Sequence, residues 1–395
     1  MDYFPADRDA KRQVLLQAVR DASDVIAAGT EEAERNCTLP MSVVDAMQAA
    51  GLFRLKLPAE VGGAEADPVT QMEVIEAVSA IYPSAGWVLM TNATGIGNAG
   101  AFLVDEAAAE VFAGGQVPRA ATVGGVSSTI EPVDGGFILN GRWPFCSGVP
   151  HSEWICLGAR LYRQAGTPPD FYTCFVRTRD VTIHDNWHVA GLRGSGSNDV
   201  SVENLFVPEA FTWMRYDRLR GIRRRGGPIF LLGLPGSVSN EHASFALGVG
   251  RLALDLIKDA AMTKRRGRGA AAVTLADRQV FQRFIAEAEL RLRAARLLTF
   301  EVHERAWEIV CDGASPEPAL EAEMRASAVL CTEVAVEVAT QAFRYAGGAA
   351  LHLENKLQMC MRDANAGAQH FAVSDVAYEN LGQFYLDLPE ANAYY

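Results

Sequence analysis

The chain has 395 residues, 49% of them hydrophobic, a length for two or three units of roughly 150 residues each with ample material for a large core. Its 36 Lys and Arg against 48 Asp and Glu give a net charge of -12 at pH 7, which argues against nucleic acid or an anionic membrane as the main partner. The seven cysteines include no Cys-x-x-Cys pair, suit neither a disulfide framework nor a zinc site, and point to a reducing compartment, the cytoplasm. The first residues carry no apolar signal region. The best apolar run, 245–257, is interrupted by Arg251 and Asp255, so neither export nor membrane insertion is expected.

From about Ala10 to Phe112 the pattern is helical, with Val14, Leu15, Ala18, Val25 and Ile26 at helical spacing and breaks at Pro40, Pro58 and Pro83. Between about Val117 and Pro208 the period changes to short β-branched and aromatic runs separated by Gly, Pro and Asn, which predicts several antiparallel strands. Past a Gly- and Arg-rich connector ending near Pro228, long helical patterns return. The stretch from Leu275 to Val310 would measure about 54 Å as one helix, with Phe281, Phe284, Ile285, Ala288, Leu292, Ala295 and Leu298 as one apolar stripe. Pro316 and Pro318 open the next helix, which ends at the Phe-Arg-Tyr-Ala-Gly-Gly turn, and a last helical segment begins near Leu353. The expected architecture is mainly α with a central β-domain: helices over 1–116, an antiparallel β-barrel or sandwich over 117–227, and a four-helix bundle over 228–395. Clefts between such units are where a ligand site is expected.

Four segments in order carry a resemblance that covers essentially the whole chain. They are Gly141–Trp154, Asn186–Pro208 with its Gly-Leu-Arg-Gly-Ser-Gly-Ser core, Phe343–Leu351, and Met361–His370. Together they resemble the acyl-CoA dehydrogenase fold. The Phe-x-Ser-Gly form at Phe145, Ser147 and Gly148, and His370 in Arg-Asp-x-Asn-x-x-x-Gln-His, are similar to the oxygenase components of two-component flavin monooxygenases. That group includes hydroxylases of 4-hydroxyphenylacetate and steroid-derived phenols, dibenzothiophene monooxygenase and amino-sugar N-oxygenases.

The resemblance implies reduced FMN or FAD as cofactor, dioxygen as cosubstrate, and a C4a-hydroperoxide kept dry until it meets an aromatic or amine substrate. Nothing in the chain looks like a nicotinamide site, so a separate flavin reductase is the implied partner. Ser147 is expected to hydrogen-bond the flavin without adding charge; by itself it reads as a solvated turn serine. His370 is the expected acid/base group, with a packed or surface histidine as the plain alternative. Asn92 falls where several members of the group place a histidine, and its amide can only hydrogen-bond. Phe145 is expected beside the flavin. Arg265 and Arg266 suit a phosphate, and Arg344 with Gly347 and Gly348 is expected near the cofactor tail of a neighbouring subunit, with a charge run and a helix C-cap as alternatives. The resemblance also implies a homotetramer; no metal ligands are recognised.

A second reading is an acyl-CoA dehydrogenase or oxidase with bound FAD, in which Glu241 takes the substrate's α-proton; otherwise Glu241 is a first-turn glutamate favoured by the helix dipole. A third is a flavin-free assembly protein on the same scaffold. The arginine-rich run 215–225 reads as a solvated connector or an anion site, and Trp143 and Trp154 as core.

Overall fold

The computed structural model describes residues 3–393 except 127, 165, 220 and 268–271. Arg220, within the arginine-rich run, therefore lies outside the described residues. Six helices come first: α1 Arg8–Ala28, α2 Thr30–Asn36, α3 Met41–Ala49, α4 Pro68–Ser79, α5 Pro83–Phe102 and α6 Asp105–Val111. Asp7 and Asp67 cap α1 and α4 by accepting the Ala10 and Thr70 amides, and Pro68 and Pro83 sit in first turns where no amide partner is needed. In α1 the buried stripe is Leu15, Val19, Ala22 and Ile26, stepped by three and four. Val14 and Val25 lie one position off it and are 44% and 40% exposed, a correction to the spacing-based stripe.

Helix α5 is buried along almost its whole length, so it runs through the molecule and not over it. Gly95 makes this possible on one side, since a Cβ there would sit 2.3 Å from the Ala120 carbonyl of the first strand.

Eight strands follow: β1 Ala120–Thr122, β2 Ser128–Val133, β3 Gly136–Cys146, β4 Trp154–Leu161, β5 Asp170–Arg177, β6 Thr182–His184, β7 Asn198–Pro208 and β8 Thr212–Met214. Their order is β6-β7-β3-β2-β4-β5-β8, with β1 also on β4. Most pairs are antiparallel, but β1 and β2 both run parallel to β4, along successive stretches of the same edge, so the sheet is mixed. Trp143 and Trp154 are core residues, as expected.

After α7 Arg215–Leu219 comes α8 Gly233–Thr263, then a short pair β9 Arg265–Arg266 and β10 Val273–Thr274, and then α9 Gln279–Cys311, α10 Pro318–Ala346, α11 Lys356–Gly367 and α12 Val376–Tyr385. Helix α8 is the central post, packed against α10 on one side and α4 on the other. Residues 318–351 are long and apolar enough to cross a membrane by length and composition, yet most of that window is buried in the bundle. In α9, Phe281, Ala288, Leu292 and Ala295 are buried and Phe284 and Ile285 half-buried; Leu298, expected in the same stripe, is 41% exposed.

Candidate functional site

Strand β3 stops pairing regularly with β7 between Trp143 and Cys146, where the register shifts. Phe145 sits in that irregularity with φ 64° and is 66% exposed, its ring edge-on to Trp187 at 6.2 Å. A bulge that re-aims one side chain outward leaves its neighbours free to turn inward. Ser147 does so: it is buried, its Oγ accepts from Trp87 Nε1 at 3.0 Å, and it lies 2.8 Å from Ser197 Oγ.

The turn after Ser147 is clamped from α5. Asn92 Nδ2 donates to the Ser147 carbonyl at 3.3 Å, and Asn92 Oδ1 accepts from Ser152 Oγ at 3.0 Å. Gly148 has φ 72°, and a Cβ there would sit 2.5 Å from Asn92 Nδ2, so a left-handed glycine is required. Asn92 thus reaches the cluster chiefly as a brace on the backbone of Ser147.

Aromatic rings from three parts of the chain meet beside this turn. The rings of His242, on α8, and His370, just past α11, stack with centroids 4.1 Å apart at 26°. Trp87 stands edge-on to both, at 5.3 and 5.9 Å, and to Phe245 at 5.0 Å, while Phe371 lies 4.5 Å from His370. Burial pushes the His370 imidazolium down to about 4. Burial first, then the charges of His370 and Lys56, hold His242 well below the usual histidine range. Both rings are neutral at pH 7. The Ala372 amide donates to His370 Nδ1 at 3.3 Å, which leaves the ring's single proton on Nε2.

The loop before β7 completes the cluster. Leu192 has φ 55°, and its amide donates to Asp363 Oδ1 on α11 at 2.6 Å. Burial, and then the nearby charge of Glu34, push the Asp363 carboxyl up to about 8. Glu34 in turn accepts from Tyr82 Oη at 2.9 Å and Arg362 Nη2 at 3.1 Å. These bonds fix the loop that carries Ser195 and Ser197.

The remaining expected residues gather elsewhere. Arg266 Nη2 donates to the Tyr345 carbonyl at 2.8 Å, and a Cβ on Gly347 would sit 2.4 Å from the same nitrogen. Arg265 donates to the Ala272 carbonyl, Arg344 and Gly348 are exposed, and Gly347 caps α10 through the Arg344 carbonyl. From His242 to the end of α8 is about 32 Å at 1.5 Å per residue, so one chain does not bring the arginine end to the histidine pair.

Two family models match the chain: the N-terminal domain of acyl-CoA dehydrogenase over residues 9–109 and its C-terminal domain over 241–375. An indole-3-acetate monooxygenase of Pseudomonas putida is 32% identical, covering 94% of this chain and 92% of its own length. The flavin-dependent monooxygenase oxygenase subunit HsaA of Rhodococcus jostii is 31% identical, with 91% and 92% covered. Among solved structures, XiaF from Streptomyces in complex with FADH2 and glycerol superimposes with a TM-score of 0.87 at 26% identity, covering 95% of this chain and 96% of that one. The chain belongs to the flavin-dependent monooxygenases of the acyl-CoA dehydrogenase fold. Its cofactor is therefore reduced flavin and its cosubstrate dioxygen.

The donor set suits a flavin. After its bonds to Trp87 and Ser197, Ser147 keeps one unused hydrogen-bonding function, so the ring would be contacted without added charge, and the nearby His370 offers an uncharged Nε2–H. At the arginine end, Arg266 spends one nitrogen on Tyr345 and keeps the rest of its fork for a phosphate.

The dehydrogenase alternative meets a closed residue. Glu241 lies more than two turns into α8, a correction to its first-turn placement, and is buried. Its Oε1 accepts hydrogen bonds from both Lys56 Nζ and Thr94 Oγ1, and Lys56 Nζ also donates to the Ser237 carbonyl at 2.9 Å. Oε1 is thus already engaged by two protein donors and does not face an open substrate. Sequence reasoning missed Trp87, His242, Phe245, Ser195 and Ser197. Trp87 sits one turn and a residue before Asn92 on the same helix, and the two serines lie inside a motif read for its glycines.

Proposed function

We propose that this monooxygenase is the oxygenase component of a two-component system, takes reduced FMN or FAD from a separate flavin reductase, and oxygenates a small aromatic substrate. The observation that carries the site assignment is the meeting of the buried Ser147, Trp87 and His242 with the half-buried His370 in one uncharged cluster. Trp87 and Asn92 come from within 1–116, Ser147 and Ser197 from 117–227, and His242, Phe245 and His370 from 228–395, so the site forms where the three units meet. The bound flavin supplies activation of dioxygen. Ser147 would hydrogen-bond the edge of its ring at N5, and Phe145 would lie beside it.

His370, neutral at pH 7, would donate its Nε2–H to the substrate's polar group, and to take a proton it must first release the Ala372 amide from Nδ1. The buried Trp87 and Phe245 would exclude water around that exchange. The aromatic lining and the named relatives, which act on indole-3-acetate in one case, favour an aromatic substrate over an amine. Arg265, Arg266, Arg344, Gly347 and Gly348 would hold the phosphate end of a flavin belonging to a neighbouring subunit, which fits their distance from His370. A homotetramer would bring the two parts together; the exposed Val280, Leu290, Leu297 and Leu298 on α9 give it apolar surface to bury. All seven cysteines are free thiols, in keeping with the cytoplasm.

The test is anaerobic mixing of the purified protein with reduced FMN or FAD, then rapid exposure to oxygenated buffer. The expected result is that oxidised-flavin absorbance returns later than for free flavin, and that an added indole or phenol is converted to a hydroxylated product. A protein that purifies yellow and bleaches with an acyl-CoA would overturn the reading.

A further inference from the structure

Three hydroxyls stand in line between Trp87 and the carbonyl of Leu192. Ser147 Oγ lies 2.8 Å from Ser197 Oγ, which lies 2.7 Å from Ser195 Oγ, and Ser195 Oγ donates to Leu192 O at 2.7 Å. At the other end Trp87 Nε1 donates to Ser147 Oγ at 3.0 Å. The two ends dictate the direction of the line. An indole N–H can only donate, a carbonyl can only accept, and each serine has one hydrogen to give. Ser195 spends its hydrogen on Leu192, so it must accept from Ser197. Ser197 has then spent its own, so it must accept from Ser147. Ser147 has no hydrogen left to offer and one lone pair still open.

Reversing the line would leave Ser195 Oγ and Leu192 O 2.7 Å apart with no hydrogen between them. Leu192 O would keep its bonds from Trp187 Nε1 at 3.0 Å and the Ser195 amide at 3.1 Å, so the cost of reversal is the close contact of two oxygens with no hydrogen between them. All three serines are buried, so water does not replace the missing donor. The backbone on either side is held too: Gly148 N donates to the Ser195 carbonyl at 2.8 Å, and the Leu192 amide is bonded to Asp363.

We propose that Ser195 and Ser197 are positioning residues that fix Ser147 as a hydrogen-bond acceptor, and so make the site select reduced over oxidised flavin. The proposal rests on the reading that Ser147 borders N5 of the flavin ring. Reduced flavin carries a hydrogen at N5 and donates it to an acceptor. Oxidised flavin has a lone pair there and needs a donor, which Ser147 supplies only by withdrawing its hydrogen from the line, leaving one close oxygen pair with no hydrogen between them. An oxygenase fed with diffusible reduced flavin needs this discrimination, because oxidised flavin of nearly the same shape competes for the site.

The test is anaerobic titration of the full-length protein with oxidised and with dithionite-reduced FMN, and in a second series FAD, followed by quenching of protein fluorescence. The readout is the ratio of the two dissociation constants. Wild type is expected to favour reduced flavin. Ser197→Ala frees the Ser147 hydrogen, strengthens oxidised-flavin binding and weakens reduced, and lowers the preference by roughly tenfold, the worth of one buried hydrogen bond. Ser195→Ala moves the ratio the same way by less, and Ser197→Thr, which keeps the hydroxyl, restores it. Should Ser197→Ala fail to fold by circular dichroism, Ser195→Ala decides.

A merely structural role would weaken both redox states alike and leave the ratio in place. That outcome in Ser195→Ala and Ser197→Ala, with Ser147→Ala still shifting it, overturns the relay and leaves the site reading standing. If Ser147→Ala leaves both constants unchanged, the site reading itself fails and the relay fails with it.

Discussion

The histidine pair and the arginine end of this monooxygenase are built on opposite physical plans. Around His242 and His370 the polar groups are buried, bonded to protein and neutral, and the residues come from α5, the β3–β4 turn, α8 and the segment after α11. Around Arg266 the groups are charged and partly or fully exposed, and all come from one end of the bundle. Under the proposed function the two plans would serve two parts of one cofactor. Oxygen transfer needs a dry surround whose dipoles are fixed beforehand, whereas a phosphate is held by cations that stay hydrated until it arrives. About 32 Å of α8 keeps the two apart within a chain.

The comparison can be broken at its most sensitive point. His370→Ala is expected to lower product formation at saturating flavin by roughly hundredfold, the scale of a lost acid/base group, while flavin affinity changes little. Single-turnover product yield measures it, and an unchanged yield and pH profile would move the acid/base group elsewhere.

Arg266→Ala should do the reverse. It is expected to weaken flavin binding by about tenfold to a hundredfold, as for loss of a charge-assisted hydrogen bond, with product yield restored at high flavin concentration. Size-exclusion chromatography beside the titration checks whether the flavin-binding species is an oligomer, as a phosphate site shared between subunits requires.

Stability against pH sharpens the contrast. His370 and His303 are held neutral at about 4, and both regain an ordinary pKa near 6.5 on unfolding. The unfolded chain therefore binds more protons at these two histidines between these values, so their contribution is full above about pH 6.5 and is lost as pH falls toward 4, while Asp363, pushed up to about 8, works the other way and offsets part of that loss. A thermal midpoint several degrees lower at pH 5 than at pH 7 is expected by calorimetry. The arginines, always charged, add nothing to that limb.

The smallest effect is expected at Phe145. Its ring is largely exposed, so Phe145→Ala should leave stability within about 0.5 kcal/mol by chemical denaturation. A measurable loss of flavin affinity in the same variant would place the ring beside the cofactor.

Much of this was legible in the chain. The α9 stripe, Pro318 at the start of α10 and the left-handed Gly347 at its end are local signals, set by side-chain period and by backbone preferences that act over a few residues. Ser147 and His370 were legible only through the resemblance, since a lone serine or histidine has no distinctive spacing. The parallel placement of β1 and β2 on β4 was not legible, because it joins Ala120 to Trp154 and Ser128 to Ala159, more than 30 residues apart in sequence, where no local signal acts.

What the sequence by itself determined was the order of helical and β-rich segments, their approximate ends and the acidic character of the chain, all properties of short windows or of totals. Tertiary structure alone decided that Trp87 points its indole at Ser147, that His242 lies flat against His370, and that Glu241 is closed off by Lys56. Each of these pairs is separated by 60 or more residues. No periodicity spans such a distance. Burial then changed what the same residues are chemically: two imidazoles lost their charge, Asp363 gained a proton's affinity, and three ordinary serines were left with a single direction in which to give their hydrogens.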